Sequence, residues 1–222
     1  MKTSHPQLAT AFALLIVAAS ASCNTKAEPE ILSVAIARAV THIAVAPKAQ
    51  VSLAGKRVLL VGDSMAEGLR PSLQKRVEAA GGRFIGEPWQ SSTIIGWEGT
   101  GRLTQMIELY QPDIVFISLG SNELQARRPE QRAPLIKRMV EEIGQRPAYW
   151  IGPPSWKPDR GLLRVIEENF QPDHFYNASN LNVPRQHDGK HPTLEGFTQW
   201  TELIWNWYEE KQGMKNEKTD AG

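Results

Sequence analysis

Three residues in this chain have the types and spacing to do nucleophilic chemistry: Ser64, Asp188 and His191. A serine hydroxyl is a weak nucleophile until a base takes its proton, and a histidine is the usual base. His191 can serve as that base. Asp188, three residues before it, can hold the imidazole in one tautomer and stabilise the imidazolium that forms. Ser64 closes Gly62-Asp63-Ser64, directly after the apolar run Arg57–Val61. A β-branched run ending in Gly reads as a buried strand, and Met65 to Ala80 reads as a helix stopped by Gly81-Gly82. Ser64 then stands at a strand-to-helix turn, where backbone N–H groups lack partners and a serine oxygen faces outward. Pro71 either kinks that helix or marks its first turn.

The elements that must position these residues follow along the chain. Arg83–Ile85 is a weaker second strand, and a helix runs from about Gly101 to Tyr110. Ile114–Leu119 is the clearest buried strand. A helix over Glu130–Gly144, a strand over Ala148–Ile151 and a helix over Leu162–Phe170 come next. His174–Tyr176 is the last strand, and Thr193 to Glu210, opened by Pro192, is the last helix. Strands alternating with helices predict an α/β domain, a parallel sheet covered on both faces. Ligands bind such sheets beyond the carboxyl ends of the strands. Ser64 and Asn122 both fall there, each after a strong strand.

The constellation resembles the SGNH (GDSL-type) hydrolases. The first block of that family looks like Gly62-Asp63-Ser64-Met65, with Met65 where the family carries Leu. The glycine of its second block is best matched by Gly96 in Ser92–Trp97. Its third block is Gly120-Ser121-Asn122, and its fifth is Asp188-x-x-His191. The resemblance covers about Lys56 to Tyr208. It implies a three-layer α/β/α sandwich with a flavodoxin-like, five-stranded parallel sheet. It implies a catalytic triad of Ser64, His191 and Asp188, and an oxyanion hole made of the Ser64 N–H, the Gly96 N–H and the Asn122 amide. Each such donor is worth on the order of 3 kcal/mol in the transition state. It also implies hydrolysis of esters through an acyl-enzyme intermediate without a cofactor.

Bulk composition sets the remaining bounds. The chain has 222 residues, 41% of them hydrophobic, which suits one core. A formal charge of +1 with scattered Lys and Arg gives no nucleic-acid signature. His187, Asp188 and His191 lack the further His or Cys of a metal site, so no metal is expected. Met1-Lys2 followed by the apolar stretch Leu8 to Ala19 reads as a secretory signal over residues 1–22. Two processing readings remain open. Ala19-Ser20-Ala21 fits a cleavage site releasing a soluble protein, and the lone cysteine, Cys23, fits a lipid-modified first residue that anchors the protein to a membrane. Both place the mature protein outside the cytoplasm, secreted or periplasmic. Residues 23–55 read as a linker or arm, 56–210 as the hydrolase domain, and 211–222 as a polar, disordered tail.

Trp89, Trp97 and Trp156 fall in loops near the expected catalytic edge, where they suit either sugar stacking or wall packing. Trp200, Trp205 and Trp207 belong to the last helix and suit packing on the sheet or on the N-terminal arm. Asp63 is better placed to hold its loop by hydrogen bonds than to do chemistry, and Glu123 and Arg102 either line the pocket or are solvated. The expected substrate is a small-molecule or glycan ester with a short acyl group, such as O-acetyl. The alternatives are an O-acetyltransferase using the same triad and a non-catalytic glycan-binding envelope protein on the same fold. A receiver-type module fits less well, since Gly120-Ser121-Asn122 stands where its acidic acceptor would be.

Overall fold

The structure is a computed structural model that describes the backbone of residues 51–220 and the side chains of 51–213. The expected signal segment and Cys23 lie outside the described residues, as does most of the linker. Five strands form one parallel sheet: β1 (Arg57–Gly62), β2 (Arg83–Pro88), β3 (Ile114–Ser118), β4 (Ala148–Ile151) and β5 (Phe175–Tyr176), in the order β2-β1-β3-β4-β5. Among the described residues six α-helices accompany them: α1 (Ser64–Ala79), α2 (Ile94–Gly99), α3 (Arg102–Tyr110), α4 (Ala133–Ile143), α5 (Leu162–Asn169) and α6 (Leu194–Asp220).

The two-residue period of a strand sends alternate side chains to opposite faces. Val58 and Leu60 of β1, Phe116 of β3, and Tyr149 and Ile151 of β4 face α1 and α6, where they meet Leu69, Leu73, Trp200 and Tyr208. Leu59 and Val61, Val115 and Ile117, and Trp150 face the other way, onto α2, α3, α4 and α5. Both faces are covered, which is why the central strands read as continuous apolar runs rather than as alternating ones. The result is the expected α/β/α sandwich.

The order of the strands determines where a site can form. From β1 the chain crosses outward to β2, then returns past β1 to β3 on the other side. The crevice between the carboxyl ends of β1 and β3 is therefore the switch point of the sheet. Gly62 lies at that crevice with φ +146°, and a Cβ built there would stand 1.8 Å from the Ser118 carbonyl oxygen. Only glycine lets β1 come this close to β3 immediately before Ser64.

Several boundaries differ from the sequence expectation. The domain starts before Lys56: Leu53 is buried, and its N–H donates to the Ala80 oxygen at 2.7 Å, closing the end of α1. Pro71 neither starts α1 nor breaks it. It lies on the exposed face in the middle of the helix, whose first turn begins at Ser64. Residues 211–220 of the expected disordered tail are instead helical, since α6 runs on to Asp220. Packing carries it past Lys211: Gln212 Nε2 donates to the Tyr149 hydroxyl at 2.6 Å, and Lys211 Nζ lies 4.0 Å from Asp173.

Gly62→Ala should lower stability by about 3 kcal/mol or more, because the added methyl meets backbone that cannot yield. A thermal melt of the variant checks this, and an unchanged midpoint would contradict the close approach of β1 and β3.

Candidate active site

Ser64 is the first residue of α1. The helix is capped by Asp63, whose Oδ1 accepts the Met65 N–H at 2.8 Å. As the first helical residue, Ser64 has an N–H with no acceptor inside the helix, so this donor faces outward on the same side as the positive end of the helix dipole. The other Asp63 oxygen, Oδ2, accepts the Ser121 N–H at 3.1 Å and the Ser121 hydroxyl at 2.8 Å. Asp63 is fully buried. Burial pushes its carboxyl above the ordinary value, opposed by the hydrogen bonds from Met65 and Ser121 and, more weakly, by the Lys190 charge. The expectation that Asp63 holds the loop is thus met, and it also reaches across to the loop after β3.

His191 comes from the segment before α6. The segment 184–193 doubles back on itself: Arg185 and Pro192 form an isolated bridge, and the Gln186 N–H donates to the His191 oxygen at 2.8 Å. This tight turn brings Asp188 beside His191. Asp188 Oδ1 accepts the backbone N–H groups of Lys190 and His191, both at 2.9 Å, and Oδ2 lies 2.5 Å from His191 Nδ1. The hydrogen bond from the imidazole, followed by those two backbone N–H groups, holds the Asp188 carboxyl well below the usual carboxylate range. On the other side of the ring, His191 Nε2 lies 2.8 Å from Ser64 Oγ. Nδ1–H donates to the carboxylate, which leaves Nε2 as an acceptor for the serine proton.

The structure brings Ser64, His191, Asp188 and Asn122 to one edge of the sheet, but Gly96 stands apart. Gly96 is the third residue of α2, not a loop residue, and its N–H donates to Thr93 Oγ1 at 3.0 Å as part of the helix cap. That donor is engaged and is not offered to a substrate oxygen. A Cβ at Gly96 would find only ordinary contacts, the nearest with Trp89 at 3.4 Å, so neither space nor φ requires glycine there. The hydroxyl of Thr93 just before an apolar run is the cap signal that marks a helix start here. Of the three expected oxyanion donors, the Ser64 N–H and the Asn122 amide remain.

Asn122 is fixed from two sides. Its Nδ2 donates to the Ser92 oxygen at 3.0 Å, and its Oδ1 accepts from Lys190 Nζ at 2.7 Å. Glu123 is not a pocket residue. It is buried, its Oε2 accepts the Ile94 N–H at 2.7 Å, and its Oε1 pairs with Arg132 Nε at 2.7 Å, so it joins the start of α2 to the loop after β3. Trp97 is fully buried in the core, its indole N–H on Ser92 Oγ at 2.8 Å, and it offers no sugar platform. Trp89 is partly exposed, with the Arg102 guanidinium over its ring. Trp156 donates to the Ser121 oxygen at 3.2 Å. Trp200 and Trp205 pack on the sheet as expected. Lys190, Ser121 and Glu123 were not singled out as positioning groups by the sequence. The only signal for Lys190 was its place between Gly189 and His191.

A cleft of about 320 Å³ opens beside Ser64. Glu67, Gln90, Gln186 and Lys190 line it with polar groups, and Phe197 gives it an apolar wall packed over Gly68.

Removing the Asp63 carboxylate strands three donors at once. Asp63→Ala should therefore lower stability by about 2–4 kcal/mol. Urea unfolding tests this, and a loss under 1 kcal/mol on the same order-of-magnitude scale would contradict the role given to Asp63.

No family model matches the chain. Over 100 residues, 40% of this chain, it is 26% identical to thioesterase 1/protease 1/lysophospholipase L1 of Escherichia coli (strain K12), and the match spans 46% of that relative's length. Among solved structures, the psychrotrophic esterase EstA from Pseudoalteromonas sp. is similar at a TM-score of 0.57 and 18% identity, over 71% of this chain and 99% of that one. The crystal structure of TesA is similar at 0.55 and 24% identity, over 68% of this chain and 97% of that one. The acetyl xylan esterase AlAXEase is similar at 0.54 and 14% identity, over 68% and 98%. The structural likenesses show a shared fold, and the sequence likeness spans about half the length of the curated relative it matches.

Proposed function

We propose that this protein is a serine esterase. The observation that carries the reading is the continuous chain Ser64 Oγ–His191 Nε2 at 2.8 Å and His191 Nδ1–Asp188 Oδ2 at 2.5 Å. In this reading Ser64 Oγ attacks the ester carbonyl carbon as its proton passes to His191 Nε2. The carbonyl oxygen takes the negative charge and is met by the Ser64 N–H and an Asn122 Nδ2–H. The tetrahedral intermediate collapses, the alcohol leaves with the proton from His191, and an acyl-Ser64 remains. Water, deprotonated by His191, then attacks the acyl carbon, and a second tetrahedral intermediate releases the acid and restores Ser64. Asp188 stabilises the imidazolium in both halves.

The substrates we propose are short-chain acyl esters on a polar alcohol, O-acetyl groups on a glycan among them. Support comes from the cleft, whose side chains Glu67, Gln90, Gln186 and Lys190 suit hydroxyl groups better than a long acyl chain. The similar acetyl xylan esterase is named for such a substrate, while the Escherichia coli relative is named as a thioesterase, protease and lysophospholipase. We also propose that the protein works outside the cytoplasm, free or anchored through a lipid on Cys23, from the leader-like composition of residues 1–22.

Hydrolysis of p-nitrophenyl acetate, butyrate and octanoate by wild type and Ser64→Ala tests the reading. Activity should fall with chain length, and Ser64→Ala should lose about 1,000-fold or more of kcat. Residual activity in Ser64→Ala near that of wild type would overturn the assignment, and a preference for octanoate would overturn the short-chain class.

A further inference from the structure

Lys190 lines the cleft, and its charge is left unused by the reaction just described. Its ammonium lies 2.7 Å from Asn122 Oδ1, its one side-chain hydrogen bond among the described residues. The ring centre of Trp156 lies 5.1 Å from Nζ. The backbone around Lys190 is held firmly. Its N–H donates to Asp188 Oδ1 at 2.9 Å, and its carbonyl accepts from the Arg185 guanidinium at 2.6 Å. The side chain thus spans from the His191 turn to the loop after β3 and ends on the far atom of the amide expected to meet the oxyanion.

The donor and acceptor chemistry of this contact has a definite sense. An ammonium only donates, and the Ser92 carbonyl only accepts. Lys190 must therefore face Oδ1, and Ser92 must face Nδ2. One Nδ2 hydrogen is taken by Ser92, and the second is left for a substrate oxygen. A cation on Oδ1 also draws electron density from the amide and makes that second hydrogen a stronger donor, because hydrogen bonds in series polarise one another. The effect grows as negative charge develops on the substrate oxygen, so it favours the transition state over the ground state.

We propose that Lys190 is a positioning residue for ester hydrolysis, acting through Asn122 to orient and polarise the oxyanion donor. The proposal rests on the serine esterase reading above. It assigns to Lys190 an effect on kcat, with little on KM, and an effect that disappears when Asn122 is absent.

A double-mutant cycle on p-nitrophenyl acetate hydrolysis tests it, using wild type, Lys190→Met, Asn122→Ala and the double variant, with Lys190→Arg as the conservative replacement. Lys190→Met should lower kcat about 10- to 100-fold, less than loss of the whole donor, and leave KM within about twofold. Lys190→Arg should recover most of that loss, because a guanidinium also only donates. In the Asn122→Ala background, Lys190→Met should change kcat by less than about twofold, since coupled residues are not additive. Thermal melts of all variants separate misfolding from lost chemistry, and a Lys190→Arg variant that folds but stays at the Lys190→Met level overturns the proposal. So does full additivity of the two losses, or a Lys190→Met variant that raises KM with kcat unchanged, which would make Lys190 a substrate-binding group. An inactive wild type overturns the esterase reading, and the proposal with it.

Discussion

The buried carboxylate of Asp63 is the interaction on which the site depends. One oxygen caps α1 and so fixes the turn that presents Ser64. The other holds both the N–H and the hydroxyl of Ser121, next to Asn122. A single side chain therefore sets the nucleophile and the amide donor relative to each other across the crevice between β1 and β3. Its low-dielectric surroundings make each of these bonds stronger, and make the loss of any one costly. Around it, Glu123 ties the start of α2 to the same loop, and the Asp188–His191 turn closes over the top. The nucleophile belongs to a helix and not to a mobile loop, which is how a site keeps its distances without a bound ligand.

The sheet was legible because its information is local. Runs such as Arg57–Val61 and Ile114–Leu119 are β-branched, apolar on both faces and ended by glycine, so strand type and burial could be read directly. The triad was legible for a different reason. Its residues sit in short segments with their own turn chemistry: an Asp that caps the helix beginning at Ser64, and an Asp-Gly turn whose carboxylate returns to the His191 N–H. Both segments are within a few residues of the groups they position.

What was not legible depends on contacts between distant segments. Gly96 was expected to offer its N–H to an oxyanion, but the Thr93 hydroxyl starts a helix there and takes that N–H for itself. A glycine in a sequence shows permissiveness, not which donor remains unpaired. The residues from Lys211 on read as a disordered tail by composition, yet the helix continues to Asp220, and Gln212 finds Tyr149 of β4 across 63 positions of sequence. Trp97 suited either sugar stacking or wall packing by its position in sequence, and its full burial decides for packing. Lys190 had no visible partner in the sequence, because Asn122, to which it binds, is 68 residues away.

The central claim is that Ser64 is a nucleophile activated by His191. It is tested most directly by reacting the folded protein with a fluorophosphonate and locating the adduct by tandem mass spectrometry of the peptides. The account predicts a single phosphonylated residue, Ser64, with labelling of the His191→Ala variant slowed by about 1,000-fold or more. An adduct on another serine, or labelling of Ser64 at the same rate without His191, would contradict it.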